Sequence, residues 1–353
     1  MIKCMGCMRE YSAQARECPY CGYSKTADHV NRFSHRPGTA LSERYIIGKA
    51  FHQDPVGISY IGWDNLIEKK AVIKEYFPEQ IAFRIDGREV ASDPKWEKLY
   101  GSGKRAFFQE IENWSHIDEI DGIGRVYDHM MQYGTVYYVR EYINGETIGE
   151  ILEQENPLLF SQARRWMKQI MQILIQLQQK GLSHGNLSVD NIVVTEDQIK
   201  LVNFGVRVNE NKARGRLFEG SEYIPEELYE DTILFWQKAD VYAAAAIFYR
   251  MITGQMPYPY AHRKKNERIK SPFELGIWAQ PDTEKGLMSI LNSDPKKKEI
   301  TLRKMEQILW QTNPEMRDGK RKEDKSKKYF LPLLVGIESV IAVVLAIVLI
   351  LLW

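Results

Sequence analysis

The chain has 353 residues, with 48 Lys and Arg against 47 Asp and Glu for a formal charge of +1 at pH 7. That length accommodates a two-lobed globular domain with small appendages. The near-neutral balance gives bulk electrostatics no hold on a polyanion, so nucleic acid is not expected as a partner.

All four cysteines lie in Cys4-Met5-Gly6-Cys7 and Cys18-Pro19-Tyr20-Cys21, two C-x-x-C knuckles near the N-terminus. Paired knuckles supply four thiolates to one tetrahedral Zn²⁺, and a segment this short cannot fold on its own core without such a staple. Disulfides are the alternative. The chain opens without a signal peptide, which places this end in reducing cytosol and favours a structural metal. Residues 1–25 therefore resemble a zinc ribbon of the sort found at the front of bacterial membrane proteins. Its basic residues are partly balanced by acids, so it lacks a nucleic-acid patch. Residues 26–40 read as a linker.

Two β-rich runs follow, Arg44 to Gly48 and Gly57 to Asp64, around a turn-forming segment containing His52, Asp54 and Pro55. A third run, Lys70-Ala71-Val72-Ile73-Lys74-Glu75, precedes Ala82 to Val90, where β-formers flank Asp86-Gly87 as in a tight hairpin. Phe107 to Glu112 is apolar-periodic and helical. Val136 to Tyr142 is a strand, and Ser161 to Lys180 has helical spacing.

The next stretch is Leu182-Ser183-His184-Gly185-Asn186-Leu187-Ser188-Val189-Asp190-Asn191, with Asn203-Phe204-Gly205 farther on. Tyr223-Ile224-Pro225-Glu226 comes after, and Lys238-Ala239-Asp240-Val241-Tyr242 opens a strongly apolar helix. In this order and spacing, the motifs resemble those of the bacterial Ser/Thr branch of the protein kinase family. The resemblance implies an α+β, two-lobed kinase-like fold over residues 41–311, with a small lobe over about 41–143 and a large lobe over about 144–311.

What the resemblance implies about chemistry is mostly loss. The catalytic loop H-R-D-x-K-x-x-N places Gly185 at the Arg, Asn186 at the proton-accepting Asp and Ser188 at the Lys, while Asn203 replaces the metal-binding Asp of D-F-G. An amide neither takes a proton near pH 7 nor offers Mg²⁺ an anionic oxygen. The lid departs too, with His52 and Asp54 at its first two glycine positions. Arg140 stands at the back of the adenine pocket. ATP and Mg²⁺ are accordingly disfavoured, although Lys74, Glu110, Asn191 and Gly57 survive as residual nucleotide-site positions. Lys74 and Glu110 are expected to form an ion pair joining helix to sheet. Between Asn203 and Glu226 the only hydroxyl-bearing serine or threonine is Ser221, at a position the motif fixes, which leaves no activation-loop phosphosite.

The C-terminal end carries a basic linker over residues 312–328. Residues 329–353 follow, apolar from Leu331 to Trp353 apart from Glu338 and Ser339, and long enough to cross a bilayer. The basic flank keeps the N-terminal side in the cytoplasm. The expected function is a membrane-anchored, cytosol-facing pseudokinase that works as a scaffold or allosteric partner of another cytosolic protein. A low-activity or unconventional serine/threonine kinase using ATP is the first alternative, and a zinc-ribbon adaptor with the kinase-like domain as scaffold is the second.

Overall fold

The computed structural model describes residues 1–24, 33–117, 119–196, 198–206, 223, 233–257, 268–277, 279–292 and 301–310. The expected basic linker and membrane helix lie outside these residues, as do Ser221 and Ile224-Pro225-Glu226. Among the described residues no helix is long and apolar enough to cross a membrane.

Strands β1 (Ile2–Lys3) and β2 (Glu10–Tyr11) pair antiparallel beside the two cysteine knuckles. The core of this module is little more than Cys4, Tyr11 and Cys18. It is seated on the next strands by the Lys49 amide, which donates to the Met5 carbonyl at 2.7 Å. Lys3 Nζ also lies 3.4 Å from the centre of the Trp63 ring. A Cβ at Gly48 would collide with Met8 and the Met5 carbonyl, so the close approach requires glycine there.

The small lobe is a six-stranded antiparallel sheet built from β3 (Ala40–Leu41), β4 (Tyr45–Gln53), β5 (Gly57–Asp64), β6 (Lys69–Tyr76), β9 (Val126–Gln132) and β10 (Thr135–Glu141). Its order is β3-β4-β5-β6-β10-β9. The expected hairpin forms between β7 (Ala82–Ile85) and β8 (Glu89–Ser92), joined by the three residues Asp86-Gly87-Arg88, of which Asp86 and Gly87 take positive φ. Helix α1 (Glu97–Ser115) then buries Phe107, Glu110, Ile111 and Trp114. Tyr76, Phe107, Tyr138 and Phe204 pack in series with ring centres 5.3–5.8 Å apart, the last pair stacked and the others tilted.

The end of the expected linker is not solvated. His35 is buried, with Nε2 2.7 Å from the Tyr137 hydroxyl and 3.3 Å from Glu75. Arg84 of the hairpin donates to Glu75 at 2.8 Å and to the Phe33 carbonyl. Tyr60 and Tyr137 donate their hydroxyls to the same carboxylate. A wholly buried Glu75 is tolerable only because it is paired and hydrogen-bonded this fully.

The large lobe begins with β11 (Glu146–Thr147) and α2 (Ile148–Gln154), whose start carries a reciprocal Thr147–Glu150 cap. Helix α3 (Phe160–Gln179) follows, and β12 (Ile192–Val194) and β13 (Ile199–Leu201) complete a three-stranded sheet with β11. Helix α4 (Ile233–Thr253) is the lobe's axis, buried continuously from Ala239 to Tyr249. Helix α3 packs against it, as do α5 (Pro281–Leu291) and α6 (Leu302–Trp310).

Burial would raise the Glu75 pKa, but contact with His35 and then Arg84 outweighs it and holds the group at about 2, below its ordinary 4.5. The folded carboxyl thus binds its proton less readily than the unfolded one. Its contribution is complete above pH 4.5 and lost as pH falls toward 2. Arg84→Met strands the carboxylate and should cost about 3–5 kcal/mol at pH 7. In urea denaturation the deficit should narrow at pH 4, where the stranded group can protonate; an equal deficit at both pH values would contradict this account.

Candidate functional site

The lid turn between β4 and β5 is Asp54-Pro55-Val56-Gly57, closed by reciprocal backbone bonds between Asp54 and Gly57. The Asp54 side chain folds under it. Its Oδ1 accepts the amides of Val56 and Gly57, both at 2.9 Å, and its Oδ2 accepts Lys74 Nζ at 2.7 Å. Lys74 is brought there because it pairs with Ser59 across β5 and β6, and it also donates to the Gly57 carbonyl at 3.2 Å. Burial opposes the Asp54 charge, yet Lys74, His52 and the lid amides outweigh it and hold its pKa below the ordinary range. The expected Lys74–Glu110 ion pair is therefore corrected. Both residues are buried, but the lysine's carboxylate partner is Asp54, which arrives from the adjacent strand turn and brings backbone donors with it.

At the opposite wall the three asparagines close a ring. Asn186 Nδ2 donates to the Asn203 carbonyl at 3.0 Å, Asn203 Nδ2 donates to Asn191 Oδ1 at 2.9 Å, and Asn191 Nδ2 donates to the Asn186 carbonyl at 2.8 Å. Each step needs an N–H₂ that a carboxylate lacks. The oxygen of Asn191, the one surviving metal-site side chain, is engaged by Asn203. Asn203 sits at φ +58°, a left-handed conformation that asparagine adopts more readily than most residues.

The loop is held from below by Asp240 on α4. Its carboxylate accepts the amides of His184 at 2.7 Å and Gly185 at 2.8 Å, and burial pushes its pKa up to about 7. Gly185 has φ +72°, and a Cβ there would press on the Trp236 ring, so a bare backbone fits this position. His184 donates from Nε2 to the Val202 carbonyl and accepts the Asn186 amide at Nδ1. That pattern requires neutral imidazole, in keeping with a pKa that burial lowers to about 4. Trp114 stacks on Phe204 at 4.5 Å and meets His184 edge-on at 5.8 Å, joining α1 to the loop. Ser188 only precedes the short 3₁₀ turn Val189–Asn191. Asp240 and Trp236 were not singled out as site residues from sequence; a single acid on a predominantly apolar helix is the signal that marks the former.

Between the two walls lies a cavity of about 440 Å³, lined by Ile61 and Val72 from the small lobe and Val193 and Val202 from the large lobe. His52, Arg140 and Asn203 also line it, and Gly6 of the first knuckle forms part of its rim.

The four cysteine sulfurs lie within 4.8 Å of one another, with Cys4–Cys21 at 3.6 Å and Cys7–Cys18 at 3.8 Å. A tetrahedral ion with Zn–S bonds of about 2.3 Å separates its sulfurs by about 3.8 Å, so these thiols fit zinc. The Gly6 amide donates to Cys4 Sγ, as suits a thiolate.

A sequence model of the protein kinase domain matches residues 89–324, and the chain belongs to that family. It is 24% identical over 229 residues to a probable serine/threonine-protein kinase of Clostridium acetobutylicum, covering 63% of this chain and 32% of that protein. It is 22% identical over 288 residues to CBL-interacting protein kinase 25 of Oryza sativa, covering 78% of this chain and 52% of the other. The chain thus spans about a third to a half of the length of these relatives. Among solved structures, PpkA-294 in its apo form superposes with a TM-score of 0.64 at 22% identity, covering 78% of this chain and 99% of that one. The structural likeness shows the fold. The family match begins at β8, beyond the strands that carry Asp54 and Lys74.

Protein purified anaerobically should carry about one zinc per chain by elemental analysis. Cys18→Ser should lose the metal and unfold the ribbon while the kinase-like domain keeps its cooperative melt. Intramolecular disulfides with no zinc would overturn this assignment.

Proposed function

We propose that this protein is a pseudokinase, a kinase-family chain whose cleft does not turn over Mg-ATP and which works by binding partners. The observation that carries this reading is the Asp54 carboxylate. Lid amides and an invading lysine are what a kinase offers to nucleotide phosphate, and here an internal anion already takes both. A phosphate chain entering the cleft has to displace a buried ion pair and then face the displaced carboxylate. The ring of asparagines supports the same conclusion, because no proton acceptor or metal carboxylate stands at positions 186 and 203. Loss of a general base alone removes about 10²–10⁴-fold in rate.

Radiolabelled Mg-ATP should give no phosphorylation of the protein or of generic substrates. Restoring aspartate at positions 186 and 203 should not rescue transfer, since Asp54 and Arg140 still oppose nucleotide. Robust transfer by the unmodified protein, abolished by Lys74→Met, would establish an unconventional serine/threonine kinase instead. That second reading is favoured by the stack of Trp114, Phe204 and His184, which keeps α1 and the loop engaged, and by relatives named as serine/threonine kinases.

The remainder of the proposal concerns placement. The ribbon is a structural zinc module seated on the small lobe, residues 329–353 are a membrane anchor, and the domain faces the cytosol to meet a protein partner there. Protease added outside intact cells should leave the kinase-like domain uncut; cleavage there would reverse the topology.

A further inference from the structure

The first cysteine knuckle continues the edge of the small-lobe sheet. On the side of β4 away from β5, the Ile47 amide donates to the Thr39 carbonyl at 2.8 Å, and the Lys49 amide donates to the Met5 carbonyl at 2.7 Å. The knuckle thus takes over where the segment before β4 stops. On the other side, the pairing of β4 with β5 slips between Ile47 and Ala50 and again between Ala50 and His52. A ladder interrupted twice holds its strand weakly, so this stretch of β4 leans on the knuckle.

Side chains tighten the seat. Met8 is buried, and its methyl group lies where Gly48 leaves room for it, beside Ile61. Lys3 Nζ lies over the Trp63 ring of β5. The same knuckle also joins the metal site to the cleft. The Gly6 amide donates to Cys4 Sγ at 3.3 Å, and Gly6 lines the interlobe cavity together with Lys49, Phe51 and His52 of β4. The module's own core is Cys4, Tyr11 and Cys18. So small a core holds only with its metal, and the free energy of binding the ion is then the folding free energy of the knuckle.

We propose that zinc in the ribbon clamps the wall of the interlobe cleft. With the ion bound, the knuckle fixes β4 from Gly48 onward; with the ion withdrawn, Lys49 loses its acceptor, Met8 leaves Gly48, and the strand is released. The release has a far limit, because the Asp54–Lys74 pair tethers the lid turn. The freed stretch is therefore residues 48–53, and it carries three residues of the cavity wall. The clamp rests on the reading of residues 1–25 as a zinc module, and it gives that module control over the shape of the cleft. A chelator, or a thiol-directed agent that strips the ion, then acts on the cavity from outside it.

The test is amide hydrogen exchange, read by mass spectrometry, on the full chain as purified, after anaerobic stripping by a chelator, and after zinc is returned. Stripping should speed exchange over residues 48–53 at least about tenfold, as local opening requires, and zinc should restore it. Exchange over Thr135–Glu141 of β10 should not change. Gly48→Val blocks the seat and leaves all four cysteines in place. It should keep one zinc per chain, exchange over residues 48–53 as stripped protein does, and respond no further to stripping. Should that variant fail to fold, Lys3→Met removes only the cation from Trp63; it should keep the zinc and speed exchange there about two- to fivefold. Zinc present, with residues 48–53 indifferent to its removal or with β10 loosened equally, overturns the clamp alone. Zinc absent from the purified chain overturns the zinc reading, and the clamp with it.

Discussion

The arrangement of the cleft depends on the Asp54 carboxylate and the Lys74 ammonium, 2.7 Å apart beneath the lid. An isolated charge of either sign at this depth would be expelled or neutralised. Paired, and with two lid amides donating to the carboxylate, both charges can be kept. The pair then determines what surrounds it. It pins the lid turn down onto β6, and it leaves Glu110 on α1 without the lysine it would otherwise engage. It also puts an anion where an active kinase binds phosphate. The lid's short turn serves the same end, since Pro55 fixes the chain direction beside the residue that must fold inward.

The same principle of internal satisfaction governs the opposite wall. Replacing a carboxylate by an amide removes charge but adds a donor, and the loop uses each added donor. Asn186, Asn191 and Asn203 bind one another in a closed circuit instead of gathering around a cation. The backbone beneath is untouched by this exchange, because its position is set by Asp240 and by the packing of Trp236 against Gly185. The scaffold of the loop and its chemistry are thus separable: the carboxylate on α4 holds the scaffold, and the amides occupy the place of the chemistry.

These facts also explain what was legible in the sequence. Strand alternation and helical spacing located β4 to β6, α1, β10, α3 and α4, and Asp86-Gly87 marked the hairpin, because those signals depend on neighbours within a few residues. The replacement of both acids by Asn186 and Asn203 was equally plain. The partner of Lys74 was not, since a spacing argument cannot tell which of two carboxylates, Asp54 or Glu110, lies closer once the lid has turned. The burial of His35 was missed for a related reason. Residues rich in turn formers read as linker, and only the arrival of Glu75 and Arg84 from distant strands makes that place a core.

What remains unsatisfied shows the cost of this arrangement. Arg140 Nε and Asn203 Oδ1 are buried and have no hydrogen-bond partner, although the Arg140 guanidinium donates to the Glu141 carbonyl at 3.1 Å. A buried polar atom left unmet is destabilising, so the cleft keeps these two groups at the expense of stability. The carboxylate at the lid and the guanidinium of Arg140 come from different strands and answer to different neighbours: Asp54 follows β4 and binds Lys74 of β6, whereas Arg140 belongs to β10 and meets the Glu141 carbonyl.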